Sequence, residues 1–427
     1  MTTPIQNAAD ADPLFGPHEA NRLLILLVFS VAINYIDRGA LSVAAPLLSR
    51  ELSLSPAQMG LLFSAFFWSY SILQPLAGWL VDRYNIKRVF GGGYLLWSLA
   101  TASVAWITGF NSLVIARLML GVGESVAYPA YSRVLVRHFP EKRRGLANAL
   151  LDAASKIGPA VSTMAGGLLV NYFGWRPLFL CLGVVSLLWL FPWTIWAPAD
   201  GPRVRAVEAR GPGMIAILRR REAWGTSLGM FAIGYIWSFL ISWLPTYLAV
   251  GRGLPLRMVA VMGSLPFWAM AAASVLGGWL SDRWIASGGA VTVVRKTFVA
   301  GGLLLCCGTL LPVGYVRRPE SAILLLVISC AVLGLCTSNV WAITQTLAGP
   351  SAAGSWTGIQ NAIGNLGGVV SPAITGLIVG WTGSYVLAFS ISSTVLMVGS
   401  ASYLTLVGQI RPLSWAEDRQ AGLSTSS

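Results

Sequence analysis

Apolar stretches of about twenty residues recur along the whole chain, separated by short polar breaks. As an α-helix, such a stretch spans the roughly 30 Å hydrocarbon core of a bilayer. In lipid, only helices and closed barrels satisfy every backbone N–H and C=O internally. The runs predict twelve spans, near residues 23–46, 58–80, 89–108, 112–135, 145–170 and 175–196, then 224–249, 257–280, 297–315, 321–342, 355–380 and 384–408. Only 11% of the 427 residues are charged, against about 25% in a soluble domain. That excludes both a soluble enzyme and intrinsic disorder, because neither can cover or tolerate so much apolar surface.

The net charge of +13 invites a nucleic-acid reading, but the cations are distributed wrongly for one. They fall in short bursts between the apolar runs, where they set membrane topology. Placing the N-terminus in the cytoplasm puts most of the 29 Lys and Arg on that side, so both termini are expected there. Residues 1–22 then form a cytoplasmic tail, 23–196 a first six-helix bundle, 197–222 a polar linker, 223–408 a second bundle, and 409–427 a second tail. The first residues carry Asp10, Asp12 and Glu19 and no apolar core, so no signal peptide is expected. Cys181, Cys306, Cys307, Cys330 and Cys336 all lie in apolar runs without metal-ligand spacing and read as packing residues.

The halves repeat. Phe67-Trp68, Gly78-Trp79-Leu80 and Asp82-Arg83 recur at an offset of 200 as Phe267-Trp268, Gly278-Trp279-Leu280 and Asp282-Arg283. Gly158, Gly167 and Gly174 recur at an offset of 209 as Gly367, Gly376 and Gly383. Six helices repeated in the same orientation describe a two-bundle transporter with its site at the bundle interface. The expected fold is therefore an all-α polytopic membrane protein of 12 transmembrane helices in two six-helix bundles.

The segment Gly78-Trp79-Leu80-Val81-Asp82-Arg83-Tyr84-Asn85-Ile86-Lys87-Arg88 resembles the signature loop of the major facilitator superfamily, although the usual glycine near Asn85 is absent. Asn34-Tyr35-Ile36-Asp37-Arg38, Phe63 through Tyr70 and Arg117 through Glu124 narrow the resemblance to the anion:cation symporters, which include sugar-acid and hexuronate carriers. The resemblance covers nearly the whole chain. It implies proton-coupled import of a small organic anion across a bacterial inner membrane. Asp82, Arg83, Arg88, Asp282 and Arg283 either bridge the bundles as a gate or only fix topology.

Six ionisable residues lie inside spans, all in the first half: Asp37, Arg38, Arg117, Glu124, Asp152 and Lys156. Each costs about 2.5–3.5 kcal/mol to insert, so each needs a partner or a task. Glu124, seven residues along the same helix, and Asp37 on span 1 are the two acids open to pairing with Arg117. Either this network is a static tie between spans 1 and 4, or Asp37 and Glu124 exchange protons. The resemblance implies the second, with Asp37, Glu124 and Arg117 as the proton-coupling set. Arg38 is the candidate carboxylate clamp, because a guanidinium grips a carboxylate through two parallel hydrogen bonds. Tyr70 is a second donor to that carboxylate or a packing residue.

Asp152, Ser155 and Lys156 share a face of span 5, and the offset of 209 pairs Asp152 with Asn361 and Lys156 with Asn365. Ser155, Lys156, Gln360 and Asn361 join the expected substrate-binding residues. Lys156 either neutralises Asp152 or meets a second acid group of the substrate. Tyr235, Trp237, Trp243 and Trp341 are aromatic candidates for the cavity of the second half. No cofactor, metal or nucleic acid is expected; the partners are a small carboxylate, protons and the bilayer, and the chain is expected to be a monomer. The rival reading is a proton-driven exporter of hydrophobic or cationic compounds, against which Arg38 and Lys156 argue. A receptor or enzyme is more remote, since the only histidines, His18 and His138, fall in the tail and a loop.

Overall fold

The computed structural model describes residues 17–139, 141–197 and 212–415. Most of the N-terminal tail, the middle of the linker and the end of the C-terminal tail lie outside that set. The first bundle comprises α1 (Pro17–Glu51), α2 (Pro56–Arg83), α3 (Ile86–Ser103), α4 (Phe110–Glu124, continued by Ala127–His138), α5 (Glu141–Val161, a π-helical turn, then Gly167–Phe173) and α6 (Trp175–Trp196). The second comprises α7 (Arg221–Thr246 and a π-helical turn), α8 (Leu256–Ala286), α9 (Val291–Lys296 through Gly302–Leu310), α10 (Pro319–Gly349), α11 (Ser355–Thr382) and α12 (Val386–Thr405). Within the linker, Met214–Leu218 forms a short helix.

All twelve expected spans are present. Ten are long and apolar enough to cross a membrane by composition alone. The other two are α3, which begins with Lys87 and Arg88, and α5, which carries Asp152 and Lys156. Local signals set the ends. Ser55 and Gln58 form a reciprocal capping box at the start of α2, and Asn85 caps α3. Helix α10 runs into α11 across a kink at Gly349, whose φ of 65° and ψ of 178° suit only glycine.

The repeat is visible in packing. Gly158 of α5 abuts Tyr35 of α1, and Gly367 of α11 abuts Tyr235 of α7, so both sequence offsets describe the same helix pair in each half. Small residues let these backbones approach closely, which is how helices associate without a hydrophobic drive between them. Arg83 stacks over Trp79 at 5.7 Å, and Arg283 over Trp279 at 5.3 Å.

Contacts between the bundles concentrate at the end of the molecule away from the termini. There an added Cβ at Gly60 (α2) would lie 2.5 Å from the Pro372 carbonyl and 3.0 Å from the Gly376 Cα (α11). Gly167 (α5) meets Ala260 (α8), and Thr163 lies against Gly263. Ser64 donates to the Val369 carbonyl at 2.7 Å. Nearer the middle, Phe63 meets Trp243 edge-on at 5.4 Å and Tyr35 meets Trp237 at 6.4 Å.

Candidate functional site

The first bundle holds a buried charged cluster built by α1, α2 and α4. Arg38 projects from α1, and its Nε donates to Glu124 Oε2 of α4 at 2.8 Å. The Glu124 side chain is wholly buried, while 9% of the Arg38 side chain remains accessible. The guanidinium carbon lies 4.8 Å from the Tyr35 ring, 4.7 Å from Phe66 and 4.7 Å from Tyr70. Phe66 and Tyr70, one helical turn apart on α2, stack at 5.2 Å. Three aromatic faces thus hold one cation, each desolvated contact contributing up to about 2 kcal/mol. Arg38 Nη2 makes no hydrogen bond within the chain, so part of the donor fork is uncommitted.

Arg117 pairs with neither of the two acids open to it. Glu124 pairs with Arg38, and no acidic partner of Arg117 falls within ion-pair distance among the described residues. One helix face is the wrong criterion for this pair, because the long Arg38 side chain reaches from α1 past Phe66 and Tyr70 to the carboxylate. Arg117 stays buried, 5.3 Å from the Phe66 ring, and its Nε makes no hydrogen bond. Asp37 is also buried. Its Oδ2 accepts a long 3.4 Å hydrogen bond from Ser186 of α6, and its Oδ1 has no partner in the chain.

A second charged pair lies on α5. Lys156 Nζ is 2.6 Å from Asp152 Oδ2, with 5% of the lysine side chain exposed against 52% of the aspartate. Ser155 spends its hydroxyl on the Asp152 carbonyl at 2.6 Å. The surface of α5 that carries Thr163 and Gly167 against α8 continues back through Lys156 and Asp152, so the pair lies along the interface between bundles. In the second half, Asn361 and Asn365 precede Gly368, Pro372 and Gly376, which meet α2, so they lie along the matching surface of α11. Asn365 Nδ2 is unpartnered.

Gln360 falls elsewhere. Thr344 donates to its Oε1 at 2.5 Å, and its Nε2 donates to the Thr226 carbonyl at 3.4 Å, within a fully buried joint of α7, α10 and α11. Both ends of the Gln360 amide are thus engaged inside the second bundle, where the residue ties helices together.

The loop charges also separate. Asp282 Oδ1 receives Arg295 Nη2 at 3.0 Å, and Arg295 also donates to Asn339 at 2.7 Å and Ser281 at 3.2 Å, all within the second bundle. The side chain of Asp82 lies outside the described residues. Arg88 lines a groove between α3 and α6. Sequence reasoning missed Arg295, Asn339, Phe66 and the Tyr35 contact with Arg38. Phe66 had a readable signal, its i,i+4 spacing to Tyr70, whereas Arg295 lies in a loop burst that reads as topology.

All five cysteines are free, and no cluster able to hold a metal occurs among the described residues.

Residues 27–372 match the family model described as Major Facilitator Superfamily. The probable sulfoacetate transporter of Cupriavidus necator is 33% identical over 389 residues, covering 87% of this chain and 90% of that protein. The probable galactarate/D-glucarate transporter of Escherichia coli K12 is 29% identical, with 93% and 96% covered. The hexuronate transporter of Bacillus subtilis is 28% identical, with 92% and 94% covered. Among solved structures, a bacterial homolog of the human lysosomal transporter Spinster aligns with a TM-score of 0.78 at 18% identity, over 91% of this chain and 97% of that one.

Proposed function

The chain belongs to the major facilitator superfamily and is a membrane transporter; from that premise we propose that it imports a small organic anion, a sugar acid or dicarboxylate, together with protons. The relatives named for galactarate, glucarate, hexuronate and sulfoacetate support the substrate class. A bacterial inner membrane with both termini cytoplasmic fits the basic loops.

One contact carries the coupling argument, the 2.8 Å bond from Arg38 Nε to Glu124 Oε2. A guanidinium engaged with an internal carboxylate is a poor clamp for an external one. Adding a proton to Glu124 removes its charge and frees the aromatic-held cation for the substrate. The site carries three acids, Asp37, Glu124 and Asp152, against three cations, Arg38, Arg117 and Lys156. Each proton taken up therefore leaves one positive charge for an anion to neutralise, which avoids the several kcal/mol of an unpaired buried charge. The packing of Tyr70 against Arg38 supports Tyr70 as a second donor to the substrate. Meeting of the bundles at the end away from the termini supports alternating access, with this conformer open toward the termini. Asp282 and Arg283, with Asp82 and Arg83, are the proposed gate when that side closes.

The test is uptake of labelled glucarate or hexuronate into proteoliposomes under an imposed proton gradient. Accumulation should follow the gradient. In Glu124→Gln, which cannot release a proton, accumulation should vanish while counterflow exchange of preloaded substrate persists. Gradient-driven efflux of lipophilic cations by the wild type would instead establish the exporter. Undiminished accumulation by the Gln variant would move coupling to Asp37.

A further inference from the structure

We propose that the groove between α3 and α6 seats one anionic phospholipid from the leaflet on the terminal side. This site shares no residue with the charged cluster and is independent of the transport reading. The groove is open to the surface, offers about 650 Å³, and is lined by both polar and apolar residues. Asn85, Lys87 and Arg88 line it where α3 begins, and Gly92, Leu95 and Leu190 line it further along the helices.

Its length suits one leaflet. From Asn85 to Leu95 an α-helix rises roughly 15 Å, which is about half of the ~30 Å hydrocarbon core. Its shape comes from glycine. No atom lies within 4 Å of an added Gly92 Cβ, so the α3 surface is recessed there and open to an acyl chain. The floor is fixed rather than adaptable: Trp193 is fully buried, donates its indole N–H to the Lys87 carbonyl at 3.1 Å, and packs edge-on against Phe90 at 4.9 Å. The flanks are lipid-facing, with Leu99, Leu188 and Phe191 exposed.

Charge selects the headgroup. No acidic side chain lines the groove, and neither Lys87 nor Arg88 has an acidic partner among the described residues. The amino end of α3 adds its partial positive charge at the same place. Two unpaired cations above a fixed apolar trough fit a phosphodiester bearing acyl chains, and fit a zwitterionic lipid less well. Arg88, expected from sequence to gate the bundles, is thereby given a different task.

Native mass spectrometry of the full chain in detergent tests this, with phosphatidylglycerol, phosphatidylcholine and inorganic phosphate as separate probes. The wild type should retain a phosphatidylglycerol adduct several-fold more than a phosphatidylcholine adduct. Gly92→Leu fills the trough and leaves the cations; the double variant Lys87→Gln with Arg88→Gln removes the cations and leaves the trough. Each should cut the phosphatidylglycerol adduct several-fold, and Arg219→Gln, an exposed cation elsewhere on the terminal side, should not. Equal retention of both lipids would overturn the proposal. So would full retention in either groove variant, an equal loss in Arg219→Gln, displacement of lipid by millimolar phosphate, or a dimer of the chain in place of the adduct.

Discussion

At the residue scale, the sequence exposes which side chains are out of place in a membrane but not which of them meet. All six intramembrane charges are legible because an ionisable residue in an apolar run is conspicuous. The partner of Glu124 is not, since a long side chain reaching across from another helix competes with helix-face arithmetic, and Arg38 wins over Arg117. Lys156 with Asp152 is the opposite case, where the i,i+4 spacing suffices. That pair is lopsided, with a buried lysine capped by a half-exposed carboxylate. The double change Asp152→Asn with Lys156→Gln removes both charges together and avoids stranding one. If Lys156 serves a dianion, this variant should bind glucarate at least tenfold more weakly while affinity for a monoacid such as glucuronate changes little, read by isothermal titration. Equal losses for both ligands, or none, would leave Lys156 as a structural partner of Asp152.

At the element scale, all twelve spans and their repeat are readable because twenty apolar residues permit little else, whereas the way helices touch is only partly so. Glycine spacing announces Gly158 and Gly367 as close-contact positions, and the structure places each against a tyrosine in the matching helix pair. Gly60 announces nothing in a single sequence, yet it lets α2 approach α11 at the closed end. Adding a methyl there drives it against the Pro372 carbonyl and the Gly376 Cα, backbone atoms that cannot rotate aside. Gly60→Ala should therefore cost about 1–3 kcal/mol as overpacking, lowering the apparent Tm. Gly78→Ala on the same helix faces open space and should melt like the wild type. Equal melting of the two variants would remove the close approach of α2 and α11 as a determinant of stability.

At the scale of the whole molecule, the sequence predicts two bundles and an interface but carries no information on which end of that interface is shut, because the same apolar spans can meet at either end. The contacts of Thr163 with Gly263 and of Gly60 with Gly376 settle it for this conformer. An added Cβ at Gly263 would lie 3.4 Å from the Thr163 methyl. That methyl marks a γ-position which a Cys sulfur at 163 can occupy, so a disulfide between Cys residues at these two positions is within reach of a small local adjustment. With the five native cysteines replaced, Thr163→Cys with Gly263→Cys should cross-link α5 to α8 in membranes under mild oxidant. The bridge ties the bundles at the end away from the termini, so substrate should still bind from the terminal side while net transport stops, and a reductant should restore it. Binding and transport must separate in this variant, because the bridge leaves the Arg38 cluster untouched and blocks only the opening of the far end. Transport that continues at wild-type rate through the cross-linked form would mean that substrate passes without the bundles parting there, and alternating access about this interface would be wrong.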